Sequence, residues 1–292
     1  MPELPEIEAY ISALEPRIVG SRLEKVRIAS FSLLRTFEPS VDAVEGRIVE
    51  RIHRIGKRIS IDTDNELHLV IHLMVAGRFK WFEEPRTLPK RGGLAAFDFS
   101  TGSLLLTEAG TKRRASLSIV DDDGLADIDP GGIELADATV AQFREALLTE
   151  RHTLKRALTD ARYLSGIGGA FADEILHHAH LSPTQMNTNL SDDEIGKLFV
   201  SARSVMDMWT KRRIEETGTG FPEKVTAFHP DMAVHGKFGE PCPECGAPIQ
   251  KIVAGGRETN YCPGCQTGGR ILADRALSKL LKDDWPKTLE EL

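Results

Sequence analysis

Residues 242–265 read "CPECGAPIQKIVAGGRETNYCPGC" and contain all four cysteines of the chain. Cys242 and Cys245 make one Cys-x2-Cys pair, Cys262 and Cys265 a second, and sixteen residues separate the pairs. That spacing is a zinc-ribbon spacing. Each Cys-Pro-x-Cys turn aims two thiolates at one point, and two such turns on adjacent strands close a tetrahedral site with Zn–S distances of about 2.3 Å. A pair of disulfides is the competing reading, disfavoured in a cytosolic chain with no other cysteine. A closed four-thiolate site holds a fold and performs no chemistry, so one structural Zn2+ is expected. Between the knuckles, "IQKIVAGGRETNY" reads as strand, Gly-Gly turn, strand, which sets Arg257 just past a hairpin tip.

Outward from this hairpin, 292 residues are enough for two or three small domains with cores of their own. A hydrophobic content of 41% and a charged content of 28% are those of a folded chain. The most apolar run, "LHLVIHLMVAG" (67–77), is too short to span a bilayer, and an acidic start without a basic region argues against a signal peptide. A cytoplasmic protein with no membrane partner is expected. The net charge of −7 argues against a uniformly basic nucleic-acid binder. Positive charge nevertheless gathers in "RIHRIGKRIS" (51–60), "TKRR" (111–114) and "KRR" (211–213). A basic groove on an acidic body and a set of solvated faces both fit these blocks.

Residues 18–133 consist of short alternating runs, among them "RIVERIHRIG", "RISIDTD", "GLAAFDFS" and "SLLLTEAG", separated by Gly, Asp-Asn and Pro turns. About eight strands in one stretch predict a sandwich or flattened barrel. From residue 134 the period becomes helical, with Asp137 or Thr139 and Ser191 as N-cap candidates. The fold class expected is α+β. Its parts are an N-terminal β-sandwich domain flanked by helices (1–133), a helical domain (134–225), a zinc-ribbon hairpin (226–270) and a C-terminal extension (271–292). The extension's apolar spacing, Ile271, Leu272, Ala276, Leu277, Leu280 and Leu281, predicts an amphipathic helix.

Within the helical zone, "YLSGIGGAFADE" (163–174) carries a Gly-x-Gly-Gly turn into a helix start, where freed N–H groups around Gly168 can hold a phosphate oxygen. Lys155 upstream can add a point charge or sit on a solvated face. At the other end, "MPELPEIEAY" places Pro5 and Glu6 as ordinary first-turn helix residues. That leaves Pro2, which is chemically special only if Met1 is removed.

Taken together, "PELPEIE" at the start, "GKR" around Lys57, "HLMVAGRF" around Met74, "SGIGGAFADEILHHAHLSP" and "VHGKFGEPCPECGAPIQKIVAGGRETNYCPGC" resemble the Fpg/Nei family of bifunctional DNA glycosylases over nearly the whole chain. The resemblance implies a monomeric base-excision-repair glycosylase and abasic-site lyase. It also implies a helix–two-turns–helix domain, with damaged DNA in the cleft beside it.

By this resemblance Pro2 is the Schiff-base nucleophile, since an α-amino group of pKa roughly 7.7–8 is partly neutral at physiological pH and can attack C1′ of the sugar. Glu3 is its proton donor, and Glu6 a supporting or helix-dipole carboxylate. Lys57 binds the phosphate flanking the lesion and Arg257 clamps phosphates during elimination. Met74 wedges into the gap left by the extruded base. The chain departs from the family at "TEAGTKRRASL", where an Arg-Phe pair is usual; Arg113 or Arg114 remains to face the orphaned base, but the Phe is missing. Gly169 stands where Asn is usual. The glycines of "ETGTGFPEKVTAFHPDM" (216–232) suggest a mobile lid or a plain surface linker. The open alternative is a non-catalytic damaged-DNA binder that keeps the fold.

Overall fold

The computed structural model describes residues 1–110, 112–222, 225–274, 277–282 and 285–292. The chain forms two compact units, Met1–Pro130 with Trp209–Thr226, and Gly131–Met208 with Ala227–Leu292. The segment 134–225, read from its helical period as one domain, is therefore shared between the two.

The first unit opens with helix α1 (Leu4–Ile18), capped at Glu3, with Pro5 in its first turn and Glu6 accepting the Glu3 N–H at 2.9 Å. Its apolar positions Ile7, Tyr10, Ile11, Leu14 and Ile18 fall on one face and are buried. Eight strands follow: β1 (Arg22–Ile28), β2 (Arg47–Ile55), β3 (Arg58–Thr63), β4 (His68–His72), β5 (Gly77–Phe82), β6 (Gly93–Phe99), β7 (Gly102–Glu108) and β8 (Ser116–Val120). They pair antiparallel in the order β5-β7-β6-β1-β2-β3-β4-β8.

The join between β1 and β2 is only two residue pairs wide, Arg22 with Ile48 and Leu23 with Arg47. The sheet is thus two four-stranded halves meeting at a narrow seam. Phe79, Phe97, Leu104 and Leu106 of one half share a single core with Ile59, Ile61, Leu69, Ile71 and Leu117 of the other, and α1 adds Ile7, Tyr10 and Leu14. This is the expected sandwich. Beyond β8 lies α2 (Asp122–Ile128), which the acidic run "DDDGLADID" did not announce: none of its residues is buried, and Asp121 caps it by accepting the Gly124 N–H at 2.9 Å. Carboxylates in the first turn suit the positive end of a helix.

The second unit holds α3 (Val140–Leu148), α4 (Leu154–Leu158), α5 (Gly169–His178) and the first part of α6 (Asp192–Thr217). Thr139, and not Asp137, caps α3, in a reciprocal box with Gln142. Ser191 stands before α6 in the same relation to Glu194. Strands β9 (Gln250–Ala254) and β10 (Arg257–Tyr261) form the hairpin, followed by α7 (Pro263–Thr267) and α8 (Leu277–Leu281). The predicted C-terminal helix is shorter than its apolar spacing suggested, and Ala276 lies outside the described residues. Ile271 and Leu272 are buried but not helical. Three bonds fix this stretch: the Ile271 N–H donates to the Lys287 carbonyl at 2.8 Å, the Leu272 N–H to the Tyr261 hydroxyl at 2.7 Å, and Asp274 accepts the Val253 N–H of β9 at 2.6 Å.

Candidate active site and zinc hairpin

Pro2 and Glu3 are both buried at the head of α1. Burial lowers the proton affinity of the chain's amino group, with Arg78 and Lys57 acting the same way while Glu3 and Glu6 oppose them. Lys57, in the turn between β2 and β3, is likewise lowered by burial, and Glu3 pulls it back up. Glu3 thus acts electrostatically on both the Met1 amino group and Lys57. Glu6 is 1% exposed, and burial raises its carboxyl to about 7 although Arg213 acts against the shift. Arg213 Nε lies 3.3 Å from Glu6 Oε1.

Met74 occupies the tight turn between β4 and β5 with a φ of 52°, a left-handed conformation uncommon for a residue with a side chain. Two neighbours impose it. The Met74 N–H donates to His72 Nδ1 at 2.9 Å. Gly77 closes the turn onto the Leu73 carbonyl, so tightly that a Cβ there would sit 2.3 Å from that oxygen. Burial holds the His72 imidazole down at about 4, so it is neutral and free to accept this bond. His72 was not singled out in the sequence; its signal was only its place two residues before Met74. Val75, next in the turn, is exposed.

The carboxylate of Glu108, itself buried, accepts the backbone N–H of Arg114 at 2.9 Å and of Ala115 at 3.0 Å. The loop is thereby pinned beneath the arginines, while Arg113 and Arg114 stay exposed. Thr111 lies outside the described residues. The segment after α6 is also held. Arg17 donates to the carbonyls of Thr219 and Gly220, Arg213 donates to that of Thr226 at 2.6 Å, and Phe221 packs on Tyr10 with ring centroids 5.7 Å apart. Thr219, Gly220, Phe221 and Thr226 are thus tied to α1 and α6 of the first unit; Glu223 and Lys224 fall outside the described residues.

In the second unit, Gly168 caps α5 without any side-chain bond, and a Cβ on Gly169 would touch only the stem of Lys155. Lys155 does not sit on a solvated face. Its ammonium lies 2.6 Å from Oδ1 of Asp173, a fully buried residue of α5, and donates to the Glu258 carbonyl on β10 at 2.7 Å. Asp173 also holds His235 Nδ1 at 2.9 Å and the Asn260 N–H at 3.1 Å. Glu174 beside it accepts the N–H groups of Ala233, Val234 and His235. This buried carboxylate pair ties α4, α5, the 233–235 turn and the zinc hairpin into one body.

The hairpin turns at Gly255 and Gly256, with φ of 59° and 74°, the two positive values of a type I′ turn. Arg257 follows, exposed. Beyond its base the thiols converge. Cys242 and Cys265 Sγ atoms are 3.8 Å apart, and those of Cys245 and Cys262 3.3 Å. Two ligands of a tetrahedral zinc at about 2.3 Å would be about 3.8 Å apart. Gly264 is needed there, because a Cβ would lie 2.8 Å from Cys245 Sγ. Burial pushes the Cys262 thiol up to about 12, so a metal's charge is required to hold it as thiolate. The donor set fits a single structural zinc. His177 Nε2, 3.3 Å from Cys242 Sγ, is a neighbour the spacing did not reveal.

Three domain families match the chain: the formamidopyrimidine-DNA glycosylase N-terminal domain over residues 1–115, the formamidopyrimidine-DNA glycosylase H2TH domain over 131–220, and the zinc finger found in FPG and IleRS over 239–268. A formamidopyrimidine-DNA glycosylase of Heliobacterium modesticaldum is 32% identical over 91% of this chain and all of its own length. That of Pelotomaculum thermopropionicum is 29% identical over 91% of this chain and 99% of its own. Among solved structures, the Lactococcus lactis formamidopyrimidine-DNA glycosylase bound non-covalently to DNA containing an AP site superposes with a TM-score of 0.79 at 25% identity, covering 91% of this chain and 99% of that one. The MutM (Fpg) protein of Thermus thermophilus gives 0.76 at 28% identity, covering 91% and 98%. No helix among the described residues is long and apolar enough to cross a membrane.

Proposed function

Because the chain belongs to the formamidopyrimidine-DNA glycosylase family, and is thus a DNA glycosylase of DNA repair, we propose that it removes a damaged base through Pro2 once Met1 is gone and then cleaves the strand. The observation that carries this reading is the burial of Pro2 and Glu3 together at the head of α1, with Glu3 acting electrostatically on Lys57. The neutral Pro2 nitrogen gives its lone pair to C1′, and the bond from C1′ to the base breaks. Glu3 supplies the proton taken by the leaving base or by the opening sugar oxygen. The amine's own proton passes to the Glu3 carboxylate; the freed nitrogen lone pair then expels the ring oxygen, which takes that proton from Glu3, and the opened sugar is left as an iminium between Pro2 and C1′. That cation acidifies the C2′ proton; as it departs, the electron pair forms a double bond and expels the 3′ phosphate, whose charge Lys57 stabilises.

In this reading Arg257 clamps backbone phosphate from the hairpin tip, Arg113 or Arg114 reaches the orphaned base, Met74 fills the gap, and the N–H groups at Gly168 hold a flanking phosphate. The zinc keeps the hairpin folded and takes no part in the chemistry. Borohydride trapping on a duplex with a preformed abasic site tests it, with the adduct mapped by mass spectrometry. The expected result is a covalent adduct at Pro2 of a chain lacking Met1. Protein that starts at Pro2 and gives no adduct overturns the iminium mechanism and favours a binder that has kept only the fold.

A further inference from the structure

The four-thiol site has an inner and an outer side. Cys242 and Cys262 are buried, whereas Cys265 is half-buried and Cys245 exposed. A cation reaching the thiols from water therefore passes Cys245 and Cys265 first. Two further donors stand on that side. Glu244 is the variable residue of the first Cys-Pro-x-Cys turn, and His180 lies just past Ala179, the C-cap of α5. Their side chains are 44% and 45% exposed, and His180 Nε2 lies 2.7 Å from Glu244 Oε2. Donor atoms of His180, Glu244 and Cys265 all fall within 4.8 Å of one another.

A plain surface ion pair does not account for this placement. His180 has a φ of 55°, at the helix-end position where glycine is the usual occupant. Left-handed backbone costs a residue with a Cβ about 1–2 kcal/mol, and an exposed ion pair returns only about 0–1 kcal/mol. Glu244 is also oriented from its other side, where Oε1 lies 3.7 Å from Nδ1 of His177, the buried imidazole whose Nε2 approaches Cys242. The carboxylate thus stands between the thiol cluster and His180. A tetrahedral cation holds an imidazole nitrogen and a carboxylate oxygen about 3.3 Å apart, so the half-exposed pair has to open by only about 0.6 Å to admit one.

We propose that His180, Glu244 and Cys265 form a second, open site for a thiophilic divalent cation of the zinc or cadmium type, which shares Cys265 with the structural site and passes metal into it. One nitrogen, one oxygen and one sulfur leave a fourth position to water, the ligand set of an exchangeable site and not of a closed one. Cys265 bonds the arriving cation and gives its thiol proton to water. His180, Glu244 and the water then cede that cation to Cys242, Cys245 and Cys262, which lose their protons in turn. No oxidation state changes. When the inner site is already filled, the Cys265 thiolate bridges the two cations through its second lone pair. Four thiolates around one Zn2+ leave negative charge in excess, which favours a second cation at that edge.

The experiment compares zinc-loaded wild-type protein with His180→Gly and Glu244→Gln. Glycine adopts the left-handed backbone freely, so the first variant removes the imidazole without straining the helix end. Equilibrium dialysis against Zn2+ counts the ions held, and displacement of bound zinc by Cd2+, followed by the absorbance of cadmium–thiolate bonds, gives the exchange rate. Wild-type protein is expected to hold one more equivalent than either variant. Exchange slows on the order of 10-fold in each variant, while zinc affinity in chelator competition stays within about 3-fold of wild type. That retained affinity also shows that the variants fold. Equal equivalents in all three proteins overturn the proposal, as do variants that exchange as fast as wild type. A loss of zinc affinity that matches the slowed exchange overturns it too, because His180 and Glu244 then only brace the first knuckle.

Discussion

Lys155 and Asp173 meet at 2.6 Å in the interior of the second unit, with the aspartate fully enclosed and the lysine side chain 12% exposed. A lysine placed by sequence near a glycine-rich helix start invites a phosphate. Here its charge is already matched by a carboxylate that water does not reach, and its remaining reach ends on the Glu258 carbonyl. The pair joins α4 to α5 and both to the zinc hairpin.

Lys155→Ala is accordingly expected to destabilise the second unit by about 3–5 kcal/mol, the usual cost of leaving one partner of a buried pair uncompensated. Urea unfolding checks this. A lysine whose main contact was DNA would behave otherwise: the variant would keep its stability and lower the salt slope of DNA binding by about one.

Met74 makes the opposite prediction. Its left-handed backbone costs about 1–2 kcal/mol for a residue with a Cβ, whereas glycine adopts it freely at an entropic cost of about 0.5–1 kcal/mol. Met74→Gly should leave stability within about 1 kcal/mol of wild type in denaturant titrations. Binding to a lesion duplex should still weaken if Met74 is the wedge proposed above. A drop of several kcal/mol would identify Met74 as an ordinary core side chain.

What the sequence made legible follows from which forces act locally. The hairpin, the strands and the caps at Thr139 and Ser191 rest on neighbours within a few residues, so spacing and side-chain type revealed them. Helix α2 did not show because nothing in it is buried, and without buried positions there is no apolar period to see. The C-terminal helix was overestimated because Tyr261 and Asp274 fix Ile271 and Leu272 through bonds to the hairpin, which no local pattern encodes. The site shows the same division. Pro2, Glu3 and the cysteines carry recognisable local motifs, whereas Glu6 meets Arg213 across 207 residues and Lys155 meets Asp173 across a turn. Charge runs such as "KRR" identify candidates without saying which of them is buried.

Zinc removal should act on the second unit first. Four thiols gathered within hydrogen-bonding range lose the ion that makes their proximity favourable, and structural zinc is worth about 10–16 kcal/mol of apparent binding energy in isolated fingers. Chelation is expected to expose the amides of β9 and β10 in hydrogen exchange while those of β3 and β6 stay protected. Gly264→Ala should mimic part of this, because its Cβ would sit 2.8 Å from Cys245 Sγ and displace that ligand. The check is a loss of zinc affinity on the order of 10- to 100-fold by competition with a chromogenic chelator.

Glu6 sets a pH dependence of definite sign. Burial raises its carboxyl from an ordinary value near 4.5 to about 7, so between these values the folded chain binds a proton that the unfolded chain has released. Stability then falls as pH rises through that window. The penalty is absent below pH 4.5 and fully present above pH 7, at about 1.4 kcal/mol per unit on the order of 3 kcal/mol. Glu6→Gln carries no such charge. It keeps one acceptor oxygen where Glu6 uses two, a loss that does not vary with pH, so the change with pH of the difference in unfolding free energy between variant and wild type isolates this one group from every other titrating residue. That difference should favour the variant progressively from pH 5 to pH 8. A difference that stays constant across the window would place Glu6 at an ordinary carboxylate pKa, with Arg213 fully offsetting its burial.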